Sequence, residues 1–269
     1  MPSHKLWHGL NLQFLLLIFV AIALGGGGVA YGLLNLAVQL AAIGVLALNR
    51  AAVVEFWQNS PVFLRILMAC TLALPALHLV PLPPAIWADL PGRELAVDAR
   101  AAVGPLGWHP LSLDSGRTLV ALVGLVAPLT LIVIGLRADA RALAAAGWAI
   151  VTLGLANFAL GIPQLLGPQG AWLIYPENPM SGVLFGIFAN RNSTGLFLVI
   201  CLTLLVHLPA LGRLTHSRLF RTVVAIVLLL AIVLTQSRSA MALAILPLAS
   251  IGLRHRSYLW PFLTGNKAR

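Results

Sequence analysis

Two arginines in this 269-residue chain lie directly beside long apolar runs, and their setting points most clearly to chemistry. Arg191 lies in the stretch FANRNSTG (188–195), and Arg238 lies in LTQSRSA (234–240). An arginine in a hydrocarbon-facing segment costs about 2.5–3.5 kcal/mol on insertion scales, so such residues usually face a partner, a cavity or a ligand. We therefore expect the functional site at these two positions.

Arg191 precedes an apolar run, and the next three residues, Asn192, Ser193 and Thr194, are all of types that cap helices. A helix amino terminus offers unpaired N–H groups and a positive partial charge, and a guanidinium holds two oxygens at once. This combination indicates phosphate or pyrophosphate as the ligand. The alternative is an interfacial arginine that reaches lipid headgroups or pairs with Glu177.

Arg238 is informative because of a length argument. Residues 219–253 would form a continuous helix of about 52 Å, whereas the hydrocarbon core of a bilayer is about 30 Å thick. The chain must therefore turn, and the small polar residues at 236–239 mark the turn. The remaining arm to Leu253, of only about 15 residues, would leave Arg238 recessed in a polar pocket. The alternative is a tight outer hairpin with an exposed arginine.

Together, the two arginines predict a site for a diphosphate. Two guanidiniums would neutralise a lipid pyrophosphate headgroup and stabilise the charge that develops on a departing pyrophosphate. The predicted substrate-binding residues are Arg191, Arg238, Asn190, Asn192 and Ser237. No catalytic residue, metal or cofactor is predicted, because His78 and His109 are only weak candidate bases and no nucleotide, zinc or serine-hydrolase motif is present.

The composition predicts a polytopic membrane protein. The chain is 60% hydrophobic and 9% charged, against roughly 25% charged residues in soluble domains. We expect an all-α bundle of about eight spans, near 10–29, 30–48, 63–82, 118–136, 142–162, 193–211, 219–237 and 239–253. The formal charge of +10 is scattered between apolar runs, so no nucleic-acid partner is predicted.

Charge also predicts the orientation. With the amino terminus in the cytoplasm, twelve basic residues lie inside: Lys5, Arg50, Arg65, Arg137, Arg141, Arg213, Arg218, Arg221, Arg254, Arg256, Lys267 and Arg269. The other five lie outside: Arg93, Arg100, Arg117, Arg191 and Arg238. The positive-inside rule then places both termini in the cytoplasm. Residues 1–269 are expected to form a single transmembrane domain whose first span is retained rather than cleaved as a signal peptide.

Two loops, 83–117 and 163–192, are expected on the outer face. In the first, apolar residues at 95, 96, 99, 102 and 103 predict a short helix. It would lie on the membrane surface with Trp87 and Trp108 as anchors, or pack on the other spans as a solvated helix.

The second loop contains several prolines, and its aromatic residues indicate that it lies against the membrane: Trp172, Tyr175, Phe185 and Phe188. Within the spans, Cys70 and Cys201 are expected to be packing residues, and Asn157 is expected to hydrogen-bond between helices.

The order of motifs resembles a known family. The stretch FGIFANRN (185–192), a span, a basic inner loop, another span and LTQSRSA (234–240) resemble the O-antigen ligase / O-antigen polymerase family of membrane glycosyltransferases. The stretch LSLD (111–114), which precedes a span, is also similar to bacterial members. The resemblance covers about residues 60–253.

The resemblance implies a ligase in lipopolysaccharide or polysaccharide biosynthesis, in the cytoplasmic (inner) membrane. Such an enzyme transfers a glycan from an undecaprenyl-pyrophosphate carrier to lipid A-core, another glycan or a protein. Arg191 and Arg238 match the arginines that engage the pyrophosphate.

The family activates the acceptor with a histidine in a large carboxy-terminal outer loop, and no residue here matches it. We therefore expect that loop to be absent and the chain to be truncated, half of a split enzyme, or a binding-only form. The alternatives are a transporter or flippase for an anionic lipid or solute, and a non-catalytic membrane partner.

Overall fold

The computed structural model describes residues 4–28, 31–168, 172–175 and 180–250. It is mostly helical, with 75% helix and almost no strand, which confirms the all-α class. In chain order the helices are α1 (His4–Leu24), α2 (Gly32–Leu48), α3 (Arg50–Asn59), α4 (Val62–His78), α5 (Pro84–Ala88), α6 (Glu94–Ala101), α7 (Ser115–Gly124), α8 (Val126–Gly135), α9 (Ala140–Leu166), α10 (Arg191–His207), α11 (Arg213–His216), α12 (Arg218–Leu234) and α13 (Arg238–Leu243). A two-stranded antiparallel sheet pairs β1 (Pro81–Leu82) with β2 (His109–Pro110), with α5 and α6 between them in the chain; it is called the β1–β2 hairpin below.

Three helical stretches in the described part are long and apolar enough to cross a membrane: Gly9–Gly27, Ser115–Gly135 and Ala140–Leu166. The pair α2 and α3, bent by 78°, makes a fourth if it is one span. The structure therefore does not support the expected count of about eight spans. Each expected span overlaps a helix, but α4, α10 and α12 have only 17 residues and α13 has six.

Two compact units divide the chain, one formed by residues 1–38 and 138–269 and the other by 39–137. In the first unit, α9 presents three glycines at seven-residue spacing, which places them on one face of the helix. A Cβ at Gly147 would lie 2.5 Å from Leu208, one at Gly154 would lie 2.6 Å from the sulfur of Cys201, and one at Gly161 would lie 2.3 Å from Leu184. These glycines let α10 and the loop before it approach α9 closely. Cys201 is thus a packing residue, as expected.

Arg221, one of the expected inner-face cations, has a structural role in this unit. Its Nη1 donates to the Leu205 carbonyl at 3.0 Å and its Nη2 to the Leu208 carbonyl at 2.9 Å. The guanidinium also lies 5.1 Å from the centroid of the Trp148 ring. Because the last carbonyls of a helix have no partner within the helix, Arg221 caps α10 from the start of α12.

Asp139 caps α9 just outside the apolar span. Its Oδ1 accepts from Ala142 N at 2.7 Å and its Oδ2 from the Asn11 amide at 2.8 Å. The Ala142 N–H and then the Asn11 amide lower the pKa of this carboxyl below its ordinary 3.8.

A folded-state pKa below the unfolded one means that Asp139 stabilises the protein fully above pH 3.8 and that this contribution is lost as the pH falls through the folded pKa. The unfolding temperature of the wild type in detergent should fall as the pH drops through the pKa of Asp139. We expect the Asp139→Asn variant to lack this part of the fall, because asparagine does not titrate. Parallel pH profiles for the wild type and the variant below pH 4 would contradict this.

The second unit contains the first predicted outer loop. The short helix predicted from the apolar spacing is present as α6, with Leu95 exposed. Trp87, expected to be a membrane anchor, is instead fully buried, and its Nε1 donates to the Pro110 carbonyl at 2.9 Å. The β1–β2 hairpin closes the loop around the indole, which the sequence pattern did not reveal. Cys70, expected to pack, is exposed.

Candidate anion-binding site

The start of α10 differs from the expected one. Asn190 has an extended backbone, with φ −131° and ψ 125°, and its side chain accepts from Asn192 N at 2.7 Å. Asn190 is therefore the cap, rather than Asn192, Ser193 or Thr194, and Arg191 is the first residue of the helix instead of preceding it. Because the side-chain oxygen of Asn190 caps α10, Asn190 positions the start of the helix and, with it, Arg191.

Arg238 occupies the same local position in its own helix. α12 ends at Leu234, Gln236 takes a positive φ of 53°, and the Ser237 hydroxyl accepts from Ala240 N at 3.3 Å to cap α13. The turn predicted at 236–239 is thus confirmed. Like Asn190, Ser237 is a cap, and it is almost fully buried.

Close packing brings the two helix starts together. A Cβ at Gly195 of α10 would lie 2.5 Å from the Ala240 Cβ and 3.1 Å from the Ser237 Cβ. Real Cβ atoms do not approach that closely, so only glycine at 195 allows this contact between α10 and α13.

The result is a cavity of about 510 Å³ lined by Arg191, Asn192, Gln236, Arg238 and Ser239. Such a volume lies within the range of about 300–1,000 Å³ usual for ligand pockets. Arg191 is half-buried and Arg238 is exposed rather than enclosed. Among the described residues neither arginine forms an ion pair. Glu177, the alternative partner of Arg191, lies outside the described residues.

The loop before Arg191 is held by two amides of α9. Gln164 Oε1 accepts from Gly186 N at 2.7 Å, and its Nε2 donates to the Gly186 carbonyl at 3.0 Å. Asn157 Oδ1 accepts from Ile187 N at 2.8 Å. Asn157 was expected to bond between helices, but its partner is loop backbone.

The glycine run after α1 supports the same loop from another side. The Ala189 N–H donates to the Gly26 carbonyl at 2.9 Å, and a Cβ at Gly26 would lie 2.2 Å from the Ile187 oxygen. Three of the four aromatic residues expected against the membrane pack within the protein instead: Tyr175 and Phe185 are buried, and Phe188 packs against Phe197 at a tilted angle. Trp172 is exposed.

Sequence reasoning did not single out Gln164, Gln236 or Ser239. A usable signal existed for Gln164, because an amide in an apolar helix must find a partner and Gln164 lies seven residues after Asn157, on the same face. Gln236 and Ser239 carry no such signal, since both lie in a polar turn. Gln236 also donates to the Gly182 carbonyl at 3.0 Å, which ties the turn to the loop.

Gln164→Leu should weaken the site without touching either arginine. The variant leaves the N–H and C=O of buried Gly186 without partners, which costs about 1–3 kcal/mol for each buried group left unsatisfied. We expect a lower unfolding temperature and weaker binding of pyrophosphate, the anion predicted for this site. Thr152→Ala is the matched control, because in the described part of the chain the Thr152 hydroxyl donates to the Trp148 carbonyl of its own helix and to no other group. Equal effects of Gln164→Leu and Thr152→Ala on the unfolding temperature and on binding would show that Gln164 does not position the site.

The weak candidate bases, His78 and His109, both belong to the second unit. His109 pairs with Arg100 in the second unit, and His78 contributes its backbone carbonyl to Ser112 N at 2.8 Å. Within the described ranges no group of three or more His, Cys, Asp or Glu side chains is arranged to hold a metal ion.

Of the five predicted site residues, the structure brings Arg191, Arg238 and Asn192 into one cavity and uses Asn190 and Ser237 as caps. Comparisons of the chain with protein-family models, curated proteins and solved structures found no match.

Proposed function

We propose that the protein is an O-antigen ligase-like membrane protein that binds an undecaprenyl-pyrophosphate-linked glycan and transfers the glycan to an acceptor. The observation that supports this proposal is the single cavity that Arg191 and Arg238 line together. Two guanidiniums in one cavity, neither of them in an ion pair among the described residues and one of them at the start of a 17-residue helix, favour a ligand with two adjacent negative groups.

The same arrangement suits the proposed reaction. In glycan transfer, an acceptor hydroxyl oxygen bonds to the sugar carbon while the bond from that carbon to the pyrophosphate oxygen breaks. The departing undecaprenyl pyrophosphate takes the bonding electrons, and the hydroxyl proton passes to a base. Guanidiniums on the diphosphate stabilise the charge that develops on it. We assign no residue of this chain as that base.

The proposal includes a location in the cytoplasmic (inner) membrane. It also includes eight membrane spans with both termini in the cytoplasm. The helices of 17 residues are about 25 Å long and lie at the lower limit of about 17–25 residues for a span. This orientation places Arg191 and Arg238 on the outer face, where the glycan carrier is presented.

Ligand specificity tests the proposal. Purified protein in detergent should bind undecaprenyl-pyrophosphate glycan more tightly than undecaprenyl monophosphate, and should bind undecaprenol weakly. Arg191→Ala and Arg238→Ala should each reduce the affinity about tenfold or more, since a hydrogen bond to a charged group contributes about 1.5–3 kcal/mol. Arg117→Ala, at an exposed ion pair with Asp114, is the control. Unchanged affinity in both site variants would reject the diphosphate site.

A transporter of the same ligand is the second candidate function. The 78° bend between α2 and α3 interrupts an apolar segment in the first half of the chain, as the turn before α13 interrupts one in the second. Interrupted helices in both halves are typical of transporters. Protein reconstituted in vesicles separates the two: a transferase releases undecaprenyl pyrophosphate when an acceptor is supplied, whereas a transporter moves intact donor across the bilayer.

A further inference from the structure

The second unit contains a cavity of about 670 Å³ between α6 and β2. Its nine lining residues are Ala96, Ala99, Arg100, Val103, Gly104, Pro105, Gly107, His109 and Leu113. Arg100 is the only charged residue among them, and no carboxylate lines the cavity.

Arg100 and His109 are held in place on this wall. Arg100 Nη1 lies 3.1 Å from His109 Nδ1 and the guanidinium lies 5.4 Å from the centroid of the Trp87 ring. His109 pairs with Leu82 in the β hairpin, and Trp87 is fully buried beneath both side chains. Arg100 Nη1 also lies 3.4 Å from His109 Nε2, so the guanidinium is in contact with both ring nitrogens.

The positive charge at this wall is not neutralised by the protein. Neither Arg93 nor Arg100 forms an ion pair within the described part of the chain, although both lie over the Trp87 ring. Arg93 is only 8% exposed; its Nη2 donates to the Leu111 carbonyl, and its Nη1 has no partner among the described residues. Of these two residues only Arg100 lines the cavity, and a guanidinium there without a carboxylate partner favours an anionic occupant.

The rim of the cavity is apolar and open. Val103 is 90% exposed and Leu113 58% exposed, and Trp108, next to His109 in the chain, is 65% exposed. Large apolar side chains left uncovered around a cationic wall match a ligand with an anionic head and an apolar body. A free anion in water would gain nothing from this rim.

We propose that this cavity is a second ligand site, which binds the phosphate group of a membrane lipid through Arg100 and His109 and the lipid's apolar part through Val103 and Leu113. The site lies wholly within the second unit and does not depend on the function proposed for Arg191 and Arg238.

Lipid binding to purified protein in a phosphate-free sugar detergent tests the proposal, with bound lipids counted by native mass spectrometry. The probes are phosphatidylglycerol, diacylglycerol without a phosphate, and inorganic phosphate as competitor. Arg100→Gln should weaken phosphatidylglycerol binding about tenfold, as the loss of a charge-assisted hydrogen bond predicts. Val103→Ser removes an exposed side chain, so it should weaken lipid binding and leave the unfolding temperature unchanged. Arg117→Gln is the control and should bind as the wild type does.

Equal phosphatidylglycerol affinity in Arg100→Gln, Val103→Ser and Arg117→Gln would overturn the proposal. Diacylglycerol binding as tightly as phosphatidylglycerol would also overturn it, because the phosphate would then contribute nothing. Full displacement of the lipid by inorganic phosphate would assign the cavity to a soluble anion instead. Arg100→Gln should weaken phosphatidylglycerol binding to the same extent when it is introduced into the Arg191→Ala and Arg238→Ala variants. Failure of either proposal is therefore distinguishable from failure of the other.

Discussion

A variant carrying both Arg191→Gln and Arg238→Gln is expected to bind undecaprenyl-pyrophosphate glycan about 10²–10⁴-fold more weakly than the wild type. Each guanidinium contributes about 1.5–3 kcal/mol through a hydrogen bond to a charged group, and about 1.4 kcal/mol corresponds to a tenfold change in affinity. Glutamine removes the charge and is shorter than arginine, so the variant loses both the charge and the reach of each guanidinium. Because the two charges attract the diphosphate, the wild-type affinity should fall more steeply with added salt than that of the variant.

Folding should be little affected by this double change. Neither arginine forms an ion pair among the described residues, and both lie on the wall of the same cavity, so the unliganded protein holds two like charges there. Removing like charges relieves repulsion, and we expect the unfolding temperature to stay equal or rise slightly.

Arg213→Gln is the matched control for the double variant, because Arg213 is an exposed arginine at the start of another helix of the same unit. It should leave donor binding unchanged. The two single variants complete a double-mutant cycle, and a coupling free energy different from zero is expected if both guanidiniums contact one ligand. If the changes in donor affinity caused by Arg191→Gln and Arg238→Gln were additive and as small as that of Arg213→Gln, the two arginines would not bind one diphosphate.

Gly186→Ala is expected to give the largest loss of stability. Gly186 has a φ of +62°, and an added Cβ would lie 2.1 Å from Asn157 Oδ1 and 2.5 Å from its Cγ. The left-handed backbone costs a residue with a Cβ about 1–2 kcal/mol. Displacing Asn157 leaves the Ile187 N–H without its partner, at about 1–3 kcal/mol more. The sum is a large part of the about 5–15 kcal/mol by which native proteins are stable.

The measurements are the yield of folded protein, the unfolding temperature in detergent and the affinity for undecaprenyl pyrophosphate. All three should fall, because the loop around Gly186 leads directly into the start of α10. Gly182→Ala is a matched control, since Gly182 has a similar φ of +69° but open space where its Cβ would be. It should show only the backbone cost.

Adding Asn157→Ala to Gly186→Ala removes the atoms that clash. This double variant should be more stable than Gly186→Ala alone, although it lacks the hydrogen bond to Ile187. If Gly182→Ala and Gly186→Ala lowered the stability of the protein equally, the contact with Asn157 would not be the reason for glycine at position 186.

Arg191 and Arg238 were identifiable from the sequence because the cost of a charge beside an apolar run depends on the residue and its neighbours alone. The turn at 236–239 followed from length, since a helix of fixed rise cannot continue through 219–253 within a bilayer. The helix at 94–101 followed from its periodicity. These features arise from local geometry, which a short window of sequence contains.

The cap of α10 was misplaced because Asn190, Asn192, Ser193 and Thr194 are all good capping residues and the sequence does not state which has an extended backbone. The burial of Trp87 was missed for a related reason. An aromatic residue in a proline-rich loop suits a membrane interface as well as a small core, and the β1–β2 pairing decides between them.

The sequence by itself determined which charged side chains lie beside apolar runs and that the chain turns at 236–239. Only the tertiary structure decided that Arg191 and Arg238 share a cavity, because this depends on α10 and α13 meeting at Gly195 and on Asn157 and Gln164 holding the intervening loop. Close packing and buried hydrogen bonds join segments distant in the chain, and their partners are set by the whole fold rather than by any one stretch of sequence.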